Sequence, residues 1–298
     1  NLIEKYHMLK TSKRVAKVKN LQIYIYIILV LSILFVSKTE HIDWRFSDHS
    51  NLVIKKNGTE LSFDRIKHEK NKINFQDGKN RKNILVVGDS HALDGLNSLK
   101  NYKFYNNHTE IGYRFLDDEC LSLFFQDKKV NQLLKKDKPE KHTQCALDSL
   151  NFKNSILLDK AHVVVYSSEW KRENLKYIKP FFDYLEKINK RGVLLGPNAL
   201  FSVRPGDILA RSSSIKEANR LAFRYLDKEI VLLDKIMQKI SNKNKIKFYS
   251  KIDSICFNNE CELIFKDNML SFLDYTHWTY TGAERFGRRI FDSTLLAN

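Results

Sequence analysis

The sequence predicts an α/β protein of three layers, a parallel sheet covered by helices, preceded by one transmembrane helix. Three observations carry that reading. From Asn83 onward, short apolar runs alternate with amphipathic stretches, the pattern of strands joined by crossover helices. A chain of 298 residues, 43% of them hydrophobic, can bury one sizeable core. Ahead of that region, residues 21–36 (LQIYIYIILVLSILFV) form a run of 16 residues without a charge.

The elements follow in order. Residues 1–20 carry Lys5, Lys10, Lys13, Arg14, Lys17 and Lys19 against Glu4 alone. They concentrate part of a net charge of +16, from 51 Lys and Arg against 35 Asp and Glu, which favours anionic partners such as nucleic acid, lipid headgroups or acidic glycans. The apolar run is extended by Asn20 and Ser37, and flanking lysines can snorkel, so residues 21–37 suffice for a span. A cleaved signal peptide would show a small-x-small site, whereas the chain continues SKTEHIDW. The positive-inside rule places residues 1–20 in the cytoplasm and everything after about residue 38 outside. Nucleic acid therefore drops out as a partner. Four cysteines suit that compartment. Three pairings are possible, of which Cys120 with Cys145 and Cys256 with Cys261 need the least chain rearrangement. A four-cysteine metal site would need CxxC spacing, which is missing.

Residues 38–80 are polar and charged and read as a linker or extension, with one hairpin expected in NLVIKKNGTELSF around Asn57-Gly58. Residues 81–298 form the main domain. Strands are expected at 84–87, 102–105, 162–166, 192–195 and 247–249. Helices are expected at 171–189 and 214–241, with a closing helix over 282–296.

In such sheets functional residues gather beyond the carboxyl ends of the strands. Ser90 stands there in NILVVGDSHALDGLNSL, after a glycine that permits a tight turn and before a helix whose N-terminal amides point toward it. A serine hydroxyl needs a base to become a nucleophile. In LDYTHWTYTGAERFG, Asp274 and His277 are three residues apart. That spacing lets the carboxylate take the Nδ1 proton and leaves Nε2 facing outward as a base. Each half also has a plainer reading, since Asp-Ser after a strand is often only a helix cap. The two together, in this order and on these elements, argue for chemistry. His91, His162 and His277 show no ligand spacing, so no metal is expected.

Gly88-Asp89-Ser90-His91 after a strand, with Asp274-x-x-His277 near the C terminus, resembles the SGNH (GDSL) hydrolases. VVGDSHA, HVVVYSSEW, LLGP and the Cys256/Cys261 to DYTHWTYTGAERFG stretch are similar to the SGNH domains fused to acyltransferase-3 membrane proteins. The resemblance covers about residues 81–298 and implies an SGNH-type fold. The opening NLIEKY resembles the Ile-Glu-Lys-Pro end of the acyltransferase-3 domain, with Tyr6 in place of the proline, which implies that this membrane domain precedes residue 1 of the same, longer chain.

By resemblance, Ser90 is the nucleophile, His277 the base and then acid, and Asp274 its orienter. The Ser90 N–H holds the oxyanion, and Gly112 is a candidate second oxyanion residue. The family's oxyanion asparagine is absent, since the loop after the third strand reads Ser167-Ser168-Glu169-Trp170, and Asn198, after the fourth strand, cannot be equated with it. One missing donor of this kind costs about 100- to 1000-fold in rate. His91, Trp170 and Trp278 are candidate substrate contacts; for His91 a structural role at the helix start weighs equally, and for both tryptophans packing is the commoner reading. Arg204 is read as a solvated loop charge.

The expected function is O-acyl transfer, most simply O-acetyl transfer, onto sugar hydroxyls of a cell-surface polysaccharide such as lipopolysaccharide O-antigen. The expected setting is a bacterial inner membrane with the main domain in the periplasm. The resemblance implies acetyl-CoA as ultimate donor on the cytoplasmic side. No cofactor is expected on this domain, since nothing in residues 83–298 resembles a CoA or nucleotide phosphate loop. A carbohydrate acetylesterase of the same fold and a non-catalytic glycan-binding domain are the alternatives.

Overall fold

The computed structural model describes residue 75, residues 82–101 and residues 109–291, all within the unit Ser47–Asn298. The expected cytoplasmic segment, the transmembrane span at 21–37 and the hairpin at 51–63 lie outside the described residues. Among the described residues no helix is long and apolar enough to cross a membrane.

The chain runs β1 (Lys82–Gly88), α1 (Ser90–Asn101), β2 (Thr109–Phe115), α2 (Leu121–Phe124), α3 (Lys128–Asp137), α4 (Pro139–Lys153), α5 (Ile156–Lys160) and β3 (Val163–Ser167). It continues through α6 (Ile178–Lys187), β4 (Arg191–Leu195), α7 (Pro205–Ala210), α8 (Ile215–Arg224), α9 (Lys228–Lys243), β5 (Lys247–Tyr249) and α10 (Lys251–Ile255). A hairpin of β6 (Cys256–Phe257) and β7 (Glu260–Cys261) follows, and α11 (Tyr280–Ile290) closes the described chain. Five parallel strands lie in the order β2-β1-β3-β4-β5.

Alternation along β1 makes this a three-layer fold. Ile84 and Val86 face one core with α1, α8 and α11, whereas Leu85 and Val87 face a second core with α4, α5, α6 and α9. Helix α1 buries Ala92, Leu93, Leu96 and Leu99 on one stripe. Gly287 of α11 lets that helix come very close to α1, because a Cβ there would sit 2.7 Å from Ser98 Cβ and 2.9 Å from its carbonyl oxygen. Both expected disulfides are present, Cys120 to Cys145 and Cys256 to Cys261, the second bridging directly paired positions of β6 and β7.

Four expected strands stand within a residue or two of their expected places. The strand expected at 102–105 lies outside the described residues, and on that side of β1 the sheet is extended by β2, Thr109–Phe115, which was not expected as a strand. The helix expected over 214–241 is two helices. Between them Leu226 forms an antiparallel bridge with Phe201, and the Asp227 carboxylate accepts the Glu229 N–H to start α9. The helix expected over 171–189 opens as a 3₁₀ segment, Arg172–Tyr177, before α6. Pro180 has no N–H to return to the carbonyl four residues earlier, so a regular α-helix cannot run through from 172.

Candidate active site

The strand order reverses between β1 and β3, the position where open α/β sheets place their sites. Gly88 ends β1 with φ +142°, and a Cβ on it would lie 1.6 Å from the Ser167 carbonyl oxygen at the end of β3. Only glycine fits there. Asp89 then ties the turn together: its Oδ1 accepts the His91 N–H at 2.8 Å, and its Oδ2 accepts the Ser168 hydroxyl and the Glu169 N–H, both at 2.7 Å. Tyr113 of β2 donates its hydroxyl to the Gly88 carbonyl at 2.9 Å. Ser90, held between these anchors, is exposed at the first position of α1.

The other half is a tight loop before α11. Phe272 and Trp278 form an antiparallel bridge, and Leu273 N–H donates to the His277 carbonyl at 2.8 Å. At the tip, Asp274 Oδ1 accepts the N–H groups of Thr276 and His277 at 2.9 and 2.8 Å. This turn is the local reason for the Asp-x-x-His spacing, because it aims Oδ2 at the histidine ring. Asp274 Oδ2 lies 2.8 Å from His277 Nδ1, and His277 Nε2 lies 3.0 Å from Ser90 Oγ. Burial works to raise the Asp274 carboxyl, but the two backbone amides and the His277 side chain outweigh it and hold the group below its ordinary value. An ionised Asp274 fixes Nδ1–H as donor and leaves the Nε2 lone pair for the serine proton.

The structure therefore brings Ser90, His277 and Asp274 into one hydrogen-bonded chain across 187 residues of sequence. Gly112 is not brought to it. It pairs with Leu85 inside β2, and a Cβ there would meet Leu157 at 3.0 Å and Phe75 at 3.2 Å, so its smallness serves packing. Trp170 and Trp278 are likewise corrections as sugar platforms, being 3% and 2% exposed. Trp170 packs on Tyr166 and donates Nε1–H to the Leu195 carbonyl, and Trp278 packs edge-on against Phe286. His91 is buried beneath the site with its ring edge-on to His277 at 5.3 Å. Burial first, then Lys251 and His277, push its pKa well down and keep it neutral. Arg204 stands on the surface, donating to the hydroxyl of exposed Tyr275 at 3.2 Å.

The side-chain amides of Asn174 and Asn198 are both committed elsewhere, to Asp118 and to Asp94 with the Thr276 carbonyl, so neither replaces the missing asparagine. Ser168 and Glu169, which stand where that asparagine would be, donate to Asp89.

Below the triad lies a buried polar group that no sequence motif announces. Asp94, Asn198 and Lys251 are all buried. Lys251 Nζ donates to Ser167 Oγ at 2.9 Å, and that hydroxyl donates to the His91 carbonyl. Burial draws Lys251 down to about 8 and lifts Asp94 to about 7, in each case against the pull of the other's charge. The one available signal was position: Asp94 is a turn after Ser90 on the same helix.

Comparison with known proteins agrees with this architecture. The model of the SGNH domain (fused to AT3 domains) matches residues 59–292. No curated protein matches the sequence. Among solved structures, the periplasmic domain of the Salmonella ser. Paratyphi A lipopolysaccharide acetyltransferase superposes with a TM-score of 0.54 at 14% identity, covering 80% of this chain and 94% of that one. An acetyl xylan esterase, AlAXEase, gives 0.40 at 13% identity, covering 69% and 96%. A Bacteroides fragilis putative acylhydrolase gives 0.40 at 10% identity, covering 78% and 95%.

Proposed function

The chain belongs to the family of SGNH domains fused to AT3 domains, and on that premise we propose that it is a serine-dependent O-acyltransferase, moving an acyl group, most simply acetyl, onto a sugar hydroxyl of a cell-surface polysaccharide such as lipopolysaccharide O-antigen. The observation that carries the reading is the unbroken Asp274–His277–Ser90 chain. His277 Nε2 takes the proton as Ser90 Oγ attacks the acyl carbonyl. The Ser90 N–H meets the oxyanion, and His277 returns the proton to the leaving group, which departs with its bonding pair. The acyl-serine is then attacked by the sugar hydroxyl, whose proton goes to Nε2. Collapse of the second tetrahedral intermediate breaks the Oγ–acyl bond, and His277 reprotonates Ser90.

In this reading the acyl group originates from acetyl-CoA in the cytoplasm and is passed across by the AT3 membrane domain of the same, longer chain. The SGNH domain works on the periplasmic side of a bacterial inner membrane, the +16 charge favours an anionic surface or glycan, and residues 21–37 anchor the domain. The fold shared with a lipopolysaccharide acetyltransferase periplasmic domain supports it.

The test is the O-acetyl content, by NMR, of surface polysaccharide from cells carrying the wild-type protein, Ser90→Ala or His277→Ala at matched protein levels. Loss of O-acetyl signal in both variants is expected. Normal acetylation in both would overturn acyl transfer through Ser90 and leave a glycan-binding accessory.

A further inference from the structure

Asp94 is an expensive residue for its place. It lies on the buried stripe of α1 beside Leu93 and Leu96, where an apolar side chain would pack without losing hydration, and it is 5% exposed. Its bonds show what the carboxylate does there. Oδ2 accepts Asn198 Nδ2–H at 2.6 Å, and Oδ1 accepts the Trp278 N–H at 3.3 Å. The same Asn198 nitrogen donates to the Thr276 carbonyl at 3.1 Å. Both partners of Nδ2 are acceptors, which fixes the orientation of the amide. Thr276 and Trp278 are the residues on either side of His277. One carboxylate, one turn along the helix from Ser90, therefore grips the histidine's backbone from both sides, directly and through the loop after β4.

We infer that Asp94 is a positioning residue: with Asn198 it holds the 276–278 segment against the helix that carries Ser90, and so sets the distance and angle between Ser90 Oγ and His277 Nε2. The inference rests on the acyl-serine reading above. Asp94 touches neither reacting atom. Its effect on rate arises because misplacing a catalytic group by about 1 Å costs on the order of 100-fold.

Asp94→Asn is the informative change, being nearly isosteric. An asparagine can keep an oxygen toward the Trp278 N–H, but then its NH2 faces the Asn198 NH2, donor against donor. Turned over, it loses Trp278 instead. Either way one of the two ties breaks. The readout is labelling of Ser90 in the full chain by a fluorophosphonate, in which the Oγ–P bond forms, fluoride leaves and the serine proton passes to His277.

The expected result is a fall of about 10- to 100-fold in the maximal labelling rate, with the concentration for half-maximal rate within about 3-fold of wild type and the protein still folded at the assay temperature. Asn198→Ala removes the Asp94–Asn198 link and the tie to the Thr276 carbonyl while leaving the Trp278 tie, so a loss of similar size is expected, and less than the product of the two in the double variant, because both act through one link. A maximal rate within 2-fold of wild type for folded Asp94→Asn overturns the positioning role. If Asp94→Asn does not fold, Asn198→Ala decides: a loss of 3-fold or more supports the role and an unchanged rate overturns it. Failure of the wild type itself to label at Ser90 overturns the acyl-serine reading and this inference together, whereas labelling that is indifferent to both substitutions overturns only the inference.

Discussion

Asp274→Asn separates the electrostatic and structural duties of one side chain. Oδ1 accepts two backbone N–H groups, from Thr276 and His277, and an asparagine oxygen can keep both. The asparagine nitrogen then occupies the place of Oδ2, 2.8 Å from His277 Nδ1. An NH2 there requires a lone pair on Nδ1, which moves the ring proton to Nε2 and presents Ser90 with a donor instead of a base. Where a buried triad aspartate is replaced in this way the loss is about 10⁴-fold. The Asp274 side chain is 50% exposed, so water can compete for the ring and restore some of the productive tautomer. The expected loss is therefore ~10²- to 10⁴-fold, or about 2.7–5.5 kcal/mol of transition-state stabilisation. The assay is acylation of Ser90 by p-nitrophenyl acetate, followed by release of p-nitrophenolate, alongside a thermal unfolding curve. An unchanged unfolding midpoint with the stated loss supports the reasoning. A variant within 10-fold of wild type would refute the tautomer argument.

Three further outcomes follow from the geometry. Gly88→Ala places a methyl group 1.6 Å from the Ser167 carbonyl oxygen at φ +142°, so a loss of ~2–5 kcal/mol in denaturant unfolding is expected, together with loss of Ser90 labelling. Asp234 is raised to about 6 by burial and by Asp253, only partly offset by the Ser250 hydrogen bond and nearby lysines. Between its unfolded value of 3.8 and about 6 the native state holds a proton that the unfolded state has lost, so stability falls as pH rises through that window. Asp234→Asn should match wild type below pH 4 and exceed it by up to ~3 kcal/mol above pH 6, read from urea midpoints across pH. Cys120 and Cys145 are 25 residues apart and Cys256 and Cys261 only 5, so opening the first bridge by paired Cys→Ala changes should cost about 3–4 kcal/mol and opening the second about 2, by loop entropy. Equal midpoint shifts for the two would contradict that ordering.

What the sequence made legible was whatever local chemistry announces. Strands β1, β3 and β4 are near-continuous apolar runs because both faces of a parallel sheet are covered, and such runs are readable. Strand β2 (TEIGYRF) hides Glu110 and Arg114 among its apolar residues and reads as a loop. The triad was readable because each half is a short motif with its own turn: Gly-Asp-Ser needs the glycine for close approach, and Asp-x-x-His needs the spacing that lets one carboxylate cap two amides and still reach the ring. The tryptophans were substrate candidates only by nearness in sequence to the Ser90 and His277 loops, which says nothing of which way an indole points, and both point into the cores. Asp94 and Asn198 were invisible for the opposite reason. Their link spans 104 residues, and the Asp94 tie to Trp278 spans 184, so neither belongs to any local pattern.

The same distinction bears on the missing asparagine. A loop after β3 that supplied an oxyanion donor would have to aim a polar group across the front of Ser90, but here Ser168 and Glu169 are turned onto Asp89 Oδ2. The amides of His91 and Ala92 in the first turn of α1 are spent as well, on the Asp89 side chain and carbonyl. That arrangement secures the turn that carries Ser90. On the acyl-serine reading, the Ser90 N–H is then the oxyanion donor at this end of the site, and the β3 loop supplies no replacement for the missing asparagine, whose share of the stabilisation is about 100- to 1000-fold in rate.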